Sequence, residues 1–179
     1  MERTMQKSAK VRTGIAVLAL ALVAAGSSVV YAATETGTAH VEILTNLTIQ
    51  EVTQMDFGII AMPSTGTDSF SLDSAGAVTH TGTDGTHSPG TQVVGTYDLT
   101  GEPGRLVDIS TTVTTDFAAG VRLTEITLDD QVSNAGTPAT TTLDTTGAAT
   151  ARMGGTVEVD AGATTGAHTA SIDIVANYQ

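Results

Sequence analysis

The run Ser171-Ile172-Asp173-Ile174-Val175-Ala176-Asn177-Tyr178 decides the fold. Ile172, Ile174, Ala176 and Tyr178 alternate with Ser171, Asp173, Val175 and Asn177, so a period of two places an apolar set on one face and a mostly polar set on the other. A strand of this kind must bury its apolar face in a sheet. Working back toward the N-terminus, no segment beyond Ala33 repeats apolar residues at helical spacing over three turns. Short alternating runs recur instead and predict strands over 39–50, 57–61, 69–72, 91–100, 106–115, 122–128, 140–143, 156–160 and 168–178. Turn signals separate them: 63–66, Asp84 with Gly85, Pro89 with Gly90, 101–104, 134–136, and Gly154 with Gly155. The stretch 137–151, rich in Thr, Gly and Ala, reads as a loop or a weak edge strand. Several strands in about 150 residues give an all-β chain, a two-sheet sandwich or a small barrel.

Composition agrees with this reading. Threonine occupies 34 of 179 positions, and with valine and isoleucine it favours pleated, half-buried strands. There is no cysteine and no tryptophan, so disulfide stapling and zinc–thiolate sites are excluded. Beyond residue 32 the only aromatics are Phe57, Phe70, Phe117, Tyr97 and Tyr178, which makes the core aliphatic.

Residues 1–32 read as a cleaved secretory signal. Arg3, Lys7, Lys10 and Arg12 precede an apolar run over 14–25, and Val30-Tyr31-Ala32 offers a cleavage step. The apolar run is shorter than the roughly 20 residues a spanning helix needs, and nothing later in the chain spans a membrane. An exported protein with no membrane segment in its mature part is expected. The mature chain retains Arg105, Arg122 and Arg152 against 18 acids, a net charge of −15, with no lysine. Nucleic-acid binding needs clustered positive charge and is excluded on that ground.

Signatures of catalysis are missing. The chain has no Gly-x-Ser-x-Gly elbow, no phosphate-binding glycine loop between strand and helix, and no His-Glu-x-x-His, so no enzyme activity and no cofactor are expected. His80, Asp84 and His87 lie close together in a Gly/Thr segment, and Asp129 and Asp130 stand near Glu125. Both groups read as solvated turns before metal sites, because ligands need a supporting shell. Asn46-Leu47-Thr48 matches a glycosylation triplet within a predicted strand and reads as idle. Phe57, between Asp56 and Gly58, reads as a core anchor followed by a tight bend at the glycine. Arg105 is expected to pair with Glu102 or Asp108.

At the other end of the mature chain, Ala39, Val41 and Ile43 alternate with His40, Glu42 and Leu44 behind a pliable leader over 34–38. The residues alone leave open whether 39–50 is the first strand of its own sandwich or a strand offered to another copy.

Five segments in order carry a family resemblance: Leu47-Thr48-Ile49; Met55-Asp56-Phe57-Gly58-Ile59-Ile60; Leu99-Thr100-Gly101-Glu102-Pro103-Gly104-Arg105; Met153-Gly154-Gly155-Thr156-Val157; and Gly166 through Tyr178. Together they resemble a large bacterial family of exported β-sandwich proteins, a domain of unknown function related to spore coat protein U and the archaic chaperone-usher pilins. The chain departs from the latter two in lacking their cysteines. The resemblance implies an incomplete immunoglobulin-like sandwich over 47–179, completed by the N-terminal extension over 33–46 of a neighbouring subunit. On that reading Ala39, Val41 and Ile43 are donor-strand plugs. Phe57, Gly58, Gly101, Gly154, Gly155, Ile172, Ile174 and Tyr178 are core and turn anchors. The expected function is a structural, pilin-like subunit that polymerises head to tail into an extracellular surface fibre. It would reach the surface through the periplasm, with a periplasmic chaperone and an outer-membrane usher as implied partners. The alternative is a monomeric secreted sandwich that binds a carbohydrate or another surface partner.

Overall fold

The computed structural model describes residues 34–133 and 136–179; the expected signal segment over 1–32 and part of the predicted 134–136 turn lie outside them. The chain divides into two units, 1–40 and 41–179. Within the first, residues 34–40 are exposed and carry no strand. The second is an all-β sandwich. Its strands are β1 (Thr48–Thr53), β2 (Ile60–Ala61), β3 (Thr67–Leu72), β4 (Val78–Thr81), β5 (Thr86–His87), β6 (Gly95–Thr100), β7 (Leu106–Thr115), β8 (Val121–Leu128), β9 (Gln131–Val132), β10 (Ala139–Thr142), β11 (Ala148–Asp160) and β12 (Ser171–Tyr178). Among the described residues no helix is long and apolar enough to cross a membrane.

Strand β11 organises the larger sheet. It pairs with β6 over 148–153, with β3 over 155–160 and with β8 over 153–159, all antiparallel. Residues 155–159 therefore have a partner on each edge, and β1 and β4 extend the sheet beyond β6 and β3. The smaller sheet runs β10-β7-β12, and β2 with β5 forms a separate short ladder. Phe70 and Leu72 of β3, Leu99 of β6, Ile126 and Leu128 of β8 and Met153 of β11 are almost fully buried in one core with Val107 and Ile109 of β7. Polar ties also join the sheets. Thr111 of β7 donates to the Ser133 carbonyl, while Ser133 Oγ donates to the Ile109 carbonyl at 2.7 Å and its amide donates to the Ile126 carbonyl at 2.9 Å.

Several strand boundaries differ from expectation. Gly154 and Gly155, expected in a turn, stand in the middle of the 13-residue β11. A Cβ on Gly154 would lie 2.1 Å from the Leu72 carbonyl oxygen, and one on Gly155 would lie 2.5 Å from that of Glu125. The glycines thus serve close strand approach, which in a linear sequence looks the same as turn chemistry. Inward parity passes through them unbroken, from Ala151 and Met153 to Val157 and Val159. The stretch 137–151 supplies the edge strand β10 and the start of β11. The predicted strand 39–50 is corrected: pairing begins only at Thr48, and Thr45 before it is held by the Tyr178 hydroxyl and the Glu102 carboxylate in place of a strand ladder. The predicted strand 57–61 shrinks to Ile60–Ala61, and 91–100 to Gly95–Thr100. Short strands β4, β5 and β9 lay below the sequence signal. β8 turns into β9 through Asp129 and Asp130, both left-handed at φ 48° and 61°.

Gly154→Ala, which forces Leu72 or Thr127 to move, is expected to destabilise the fold by about 1–3 kcal/mol in urea unfolding. An alanine on open-surface Gly136, whose φ is 95°, would carry only the backbone part of that cost.

Candidate functional site

Strands β1 and β12 are open edges, one in each sheet. Among the described residues β12 pairs only with β7, from Ser171 opposite Thr115 to Tyr178 opposite Val107, and β1 pairs only with β6. The alternation in β12 holds residue by residue: Ile172, Ile174, Ala176 and Tyr178 pack against the core, whereas Val175 on the other face is 53 % exposed. Yet these inward residues are only half-buried. Leu47 and Ile49, leading into and lying on β1, are half-buried in the same way. An edge with outward N–H and C=O groups beside partly covered apolar side chains accepts an added strand.

The two edges meet near Gly101. A Cβ there would fall 2.2 Å from the Tyr178 hydroxyl and 3.1 Å from Leu47 Cδ1, so only glycine fits. Tyr178 uses its hydroxyl twice: it donates to the Thr45 carbonyl at 3.0 Å and accepts the Glu102 amide at 2.6 Å. Glu102 in turn accepts from the amide and hydroxyl of Thr45 at 3.2 and 3.1 Å. Arg105 pairs with Glu42, which corrects the expected pairing with Glu102 or Asp108. An open hollow of about 370 Å³ lies between 44–47 and 176–178. The chain is therefore pinned at Thr45 to the end of β12. Upstream of that pin, Val41 and Ile43 are 84 % and 86 % exposed, and Ala39 is exposed.

The opposite end of the sandwich is built around Phe57. Its buried ring meets Phe117 edge-on with centroids 6.1 Å apart. Gly58 follows at φ 76°, where a Cβ would meet Thr91 Oγ1 at 2.2 Å; the tight bend expected there is present.

The polar groups singled out in the sequence have separate tasks. His80 Nε2 donates to Asp68 at 2.8 Å and stacks on Phe70; His87 Nε2 donates to the Phe57 carbonyl at 2.9 Å; Asp84 accepts from the Ser64 amide and hydroxyl. Asp130 accepts from Ser74, and Asp129 accepts the Arg152 amide. Among the described residues no three His, Cys, Asp or Glu side chains come together as a metal site. Asn46 is exposed ahead of β1, not within a strand, and Thr48 bonds Thr100 across β6.

Asp68 was missed. It is fully buried and shares inward parity with Phe70 and Leu72, so an acid on the apolar face of a strand was the available signal. Burial pushes its carboxyl up, but the amides of Thr83 and Gly85 at 2.7 Å and the His80 ring more than offset this and hold it at about 2. A depressed folded value means that the carboxylate stabilises the fold above its unfolded pKa, and that this stability is lost as pH falls toward 2. Asp68→Asn turns one acceptor toward an amide donor. It should lower Tm at neutral pH by roughly 5 °C or more, with the gap to wild type narrowing in thermal melts below about pH 4. Tyr178→Phe removes both hydroxyl bonds and should cost about 1 kcal/mol, with faster amide exchange at Glu102 than at Ile109 as the local readout.

No curated protein and no solved structure matches this chain. One family model, described as a domain of unknown function (DUF4402), matches residues 47–178, from the half-buried Leu47 to the Tyr178 pin, and the chain belongs to that family.

Proposed function

We propose that the protein is a structural subunit of an extracellular fibre, in which residues 39–43 of one copy add as a strand to the open β12 edge of the next. One observation carries this reading. Among the described residues the chain holds an unpaired edge with half-buried Ile172, Ile174 and Ala176, and an unpaired alternating segment with exposed Val41 and Ile43. Each supplies what the other lacks: the edge offers backbone groups and apolar hollows, and the segment offers backbone groups and apolar side chains.

Burying Ala39, Val41 and Ile43 would contribute about 4–6 kcal/mol, so durability would also draw on the strand ladder and on slow release. Donation from copy to copy is heterologous and does not close, which produces filaments. The charge of −15 on the mature chain keeps such filaments apart at low salt. The five segments resemble an exported β-sandwich family related to the archaic pilins, which supports the same reading, and a periplasmic chaperone and outer-membrane usher belong to it as proposed partners.

Mature protein released from cells is expected to show filaments in electron micrographs and a ladder of multimers on unboiled denaturing gels. Val41→Asp with Ile43→Asp should abolish both while leaving the Tm of the subunit within a few degrees of its own unpolymerised wild type. A compact monomer in both proteins would instead favour the secreted binding module.

A further inference from the structure

Contact between successive subunit bodies rests on the strand-donation reading, which leaves almost no linker between copies. Ile43 is the last plug, and Thr45 is already fixed to its own subunit by Tyr178 and Glu102. Only Leu44 stands between them, and one residue spans at most about 3.6 Å. The body that donates the strand must therefore press against the body that receives it, at whichever end the donated strand finishes.

Strand direction selects that end. Every strand pair among the described residues is antiparallel. A strand added antiparallel to β12 enters beside Tyr178 and finishes beside Ser171, at the Phe57 and Phe117 end of the receiving subunit. Parallel addition would finish beside Tyr178 and set two copies of the same end face to face.

The end reached by antiparallel addition carries exposed apolar side chains. Ile59 is 65 % exposed, and Met62 and Val93 are each 42 % exposed. The backbone that presents them is held firmly. Asp56 and Val93 exchange amide bonds at 2.9 and 2.8 Å, the Ser88 amide donates to the Ile59 carbonyl at 2.9 Å, and the Ile59 amide donates to Thr91 Oγ1 at 3.0 Å. Covering these side chains would remove apolar surface from water. The donating end offers a matching surface in exposed Pro103, Gly104 and Leu106, on the turn that Tyr178 and Glu102 hold against Thr45.

We propose that Ile59, Met62 and Val93 form the seat for the 101–106 turn of the next copy, a second interface that makes the strand-linked filament stiff and sets its repeat. The partner is another copy of this chain. The absence of native cysteine allows a direct test in the mature full-length protein. Met62→Cys or Ile59→Cys is combined with Pro103→Cys or Leu106→Cys and treated with a short bis-maleimide. The two positions lie at opposite ends of one molecule, so cross-links between them join different copies. The expected result is a covalent ladder on boiled gels from the paired variants and none from either single variant. A ladder on unboiled gels with no covalent ladder in any pairing overturns the seat but leaves strand donation standing. Covalent dimers from Pro103→Cys alone also overturn it, since they report parallel, end-to-same-end addition. Loss of the unboiled ladder in the wild type removes strand donation and the seat together. As an independent readout, Ile59→Asp with Met62→Asp should keep the unboiled ladder and give filaments visibly more curved in micrographs; unchanged straightness counts against the seat.

Discussion

The carbonyl oxygens of Leu72 and Glu125 approach β11 so closely at Gly154 and Gly155 that no side chain fits there, and the rest of the sandwich depends on that approach. It lets one 13-residue strand take β6 along its first half, then β3 and β8 on its two edges along the second. The sheet margins, among them β1 in this sheet and β12 in the other, keep unpaired backbone on one side among the described residues.

Buried polar groups then fix what apolar packing leaves loose. Non-directional burial of Phe70, Leu99 and Met153 holds the sheets together but does not specify how loops sit on them. Asp68 gathers the 82–85 loop through two amides and a histidine, Ser133 ties β9 to β7, and Tyr178 fastens the start of the domain to the 101–104 turn. Each is a hydrogen-bonded group whose loss would leave a donor or acceptor unmet, so each defines a single arrangement. The Tyr178 fastening has a further effect: it holds Thr45, and with it the residues that lead into β1, at the end of β12.

Polar side chains singled out in the sequence have hydrogen-bond partners within the fold. His80, Asp84 and His87 are neighbours in sequence, yet each serves a different backbone or carboxylate partner. The acids Asp129 and Asp130 form a left-handed hairpin turn and receive hydrogen bonds from Arg152 and Ser74. The edges of β1 and β12 and the side chains of Val41, Ile43 and Ile59 face outward instead.

The sequence by itself determined the all-β class and, to the residue, β7 and the faces of β12, because a period of two is a local property that Ile172, Ile174 and Ala176 carry without help. It also identified Phe57 and the bend at Gly58. Tertiary structure alone decided the rest. Whether Gly154 and Gly155 turn or are crowded depends on strands about 30 and 80 residues away. Whether 39–47 joins the sheet depends on a free edge within reach, and alternation cannot report that. The buried carboxylate of Asp68 and the Thr45 pin are contacts between distant residues, and local periodicity holds no record of which distant residues meet.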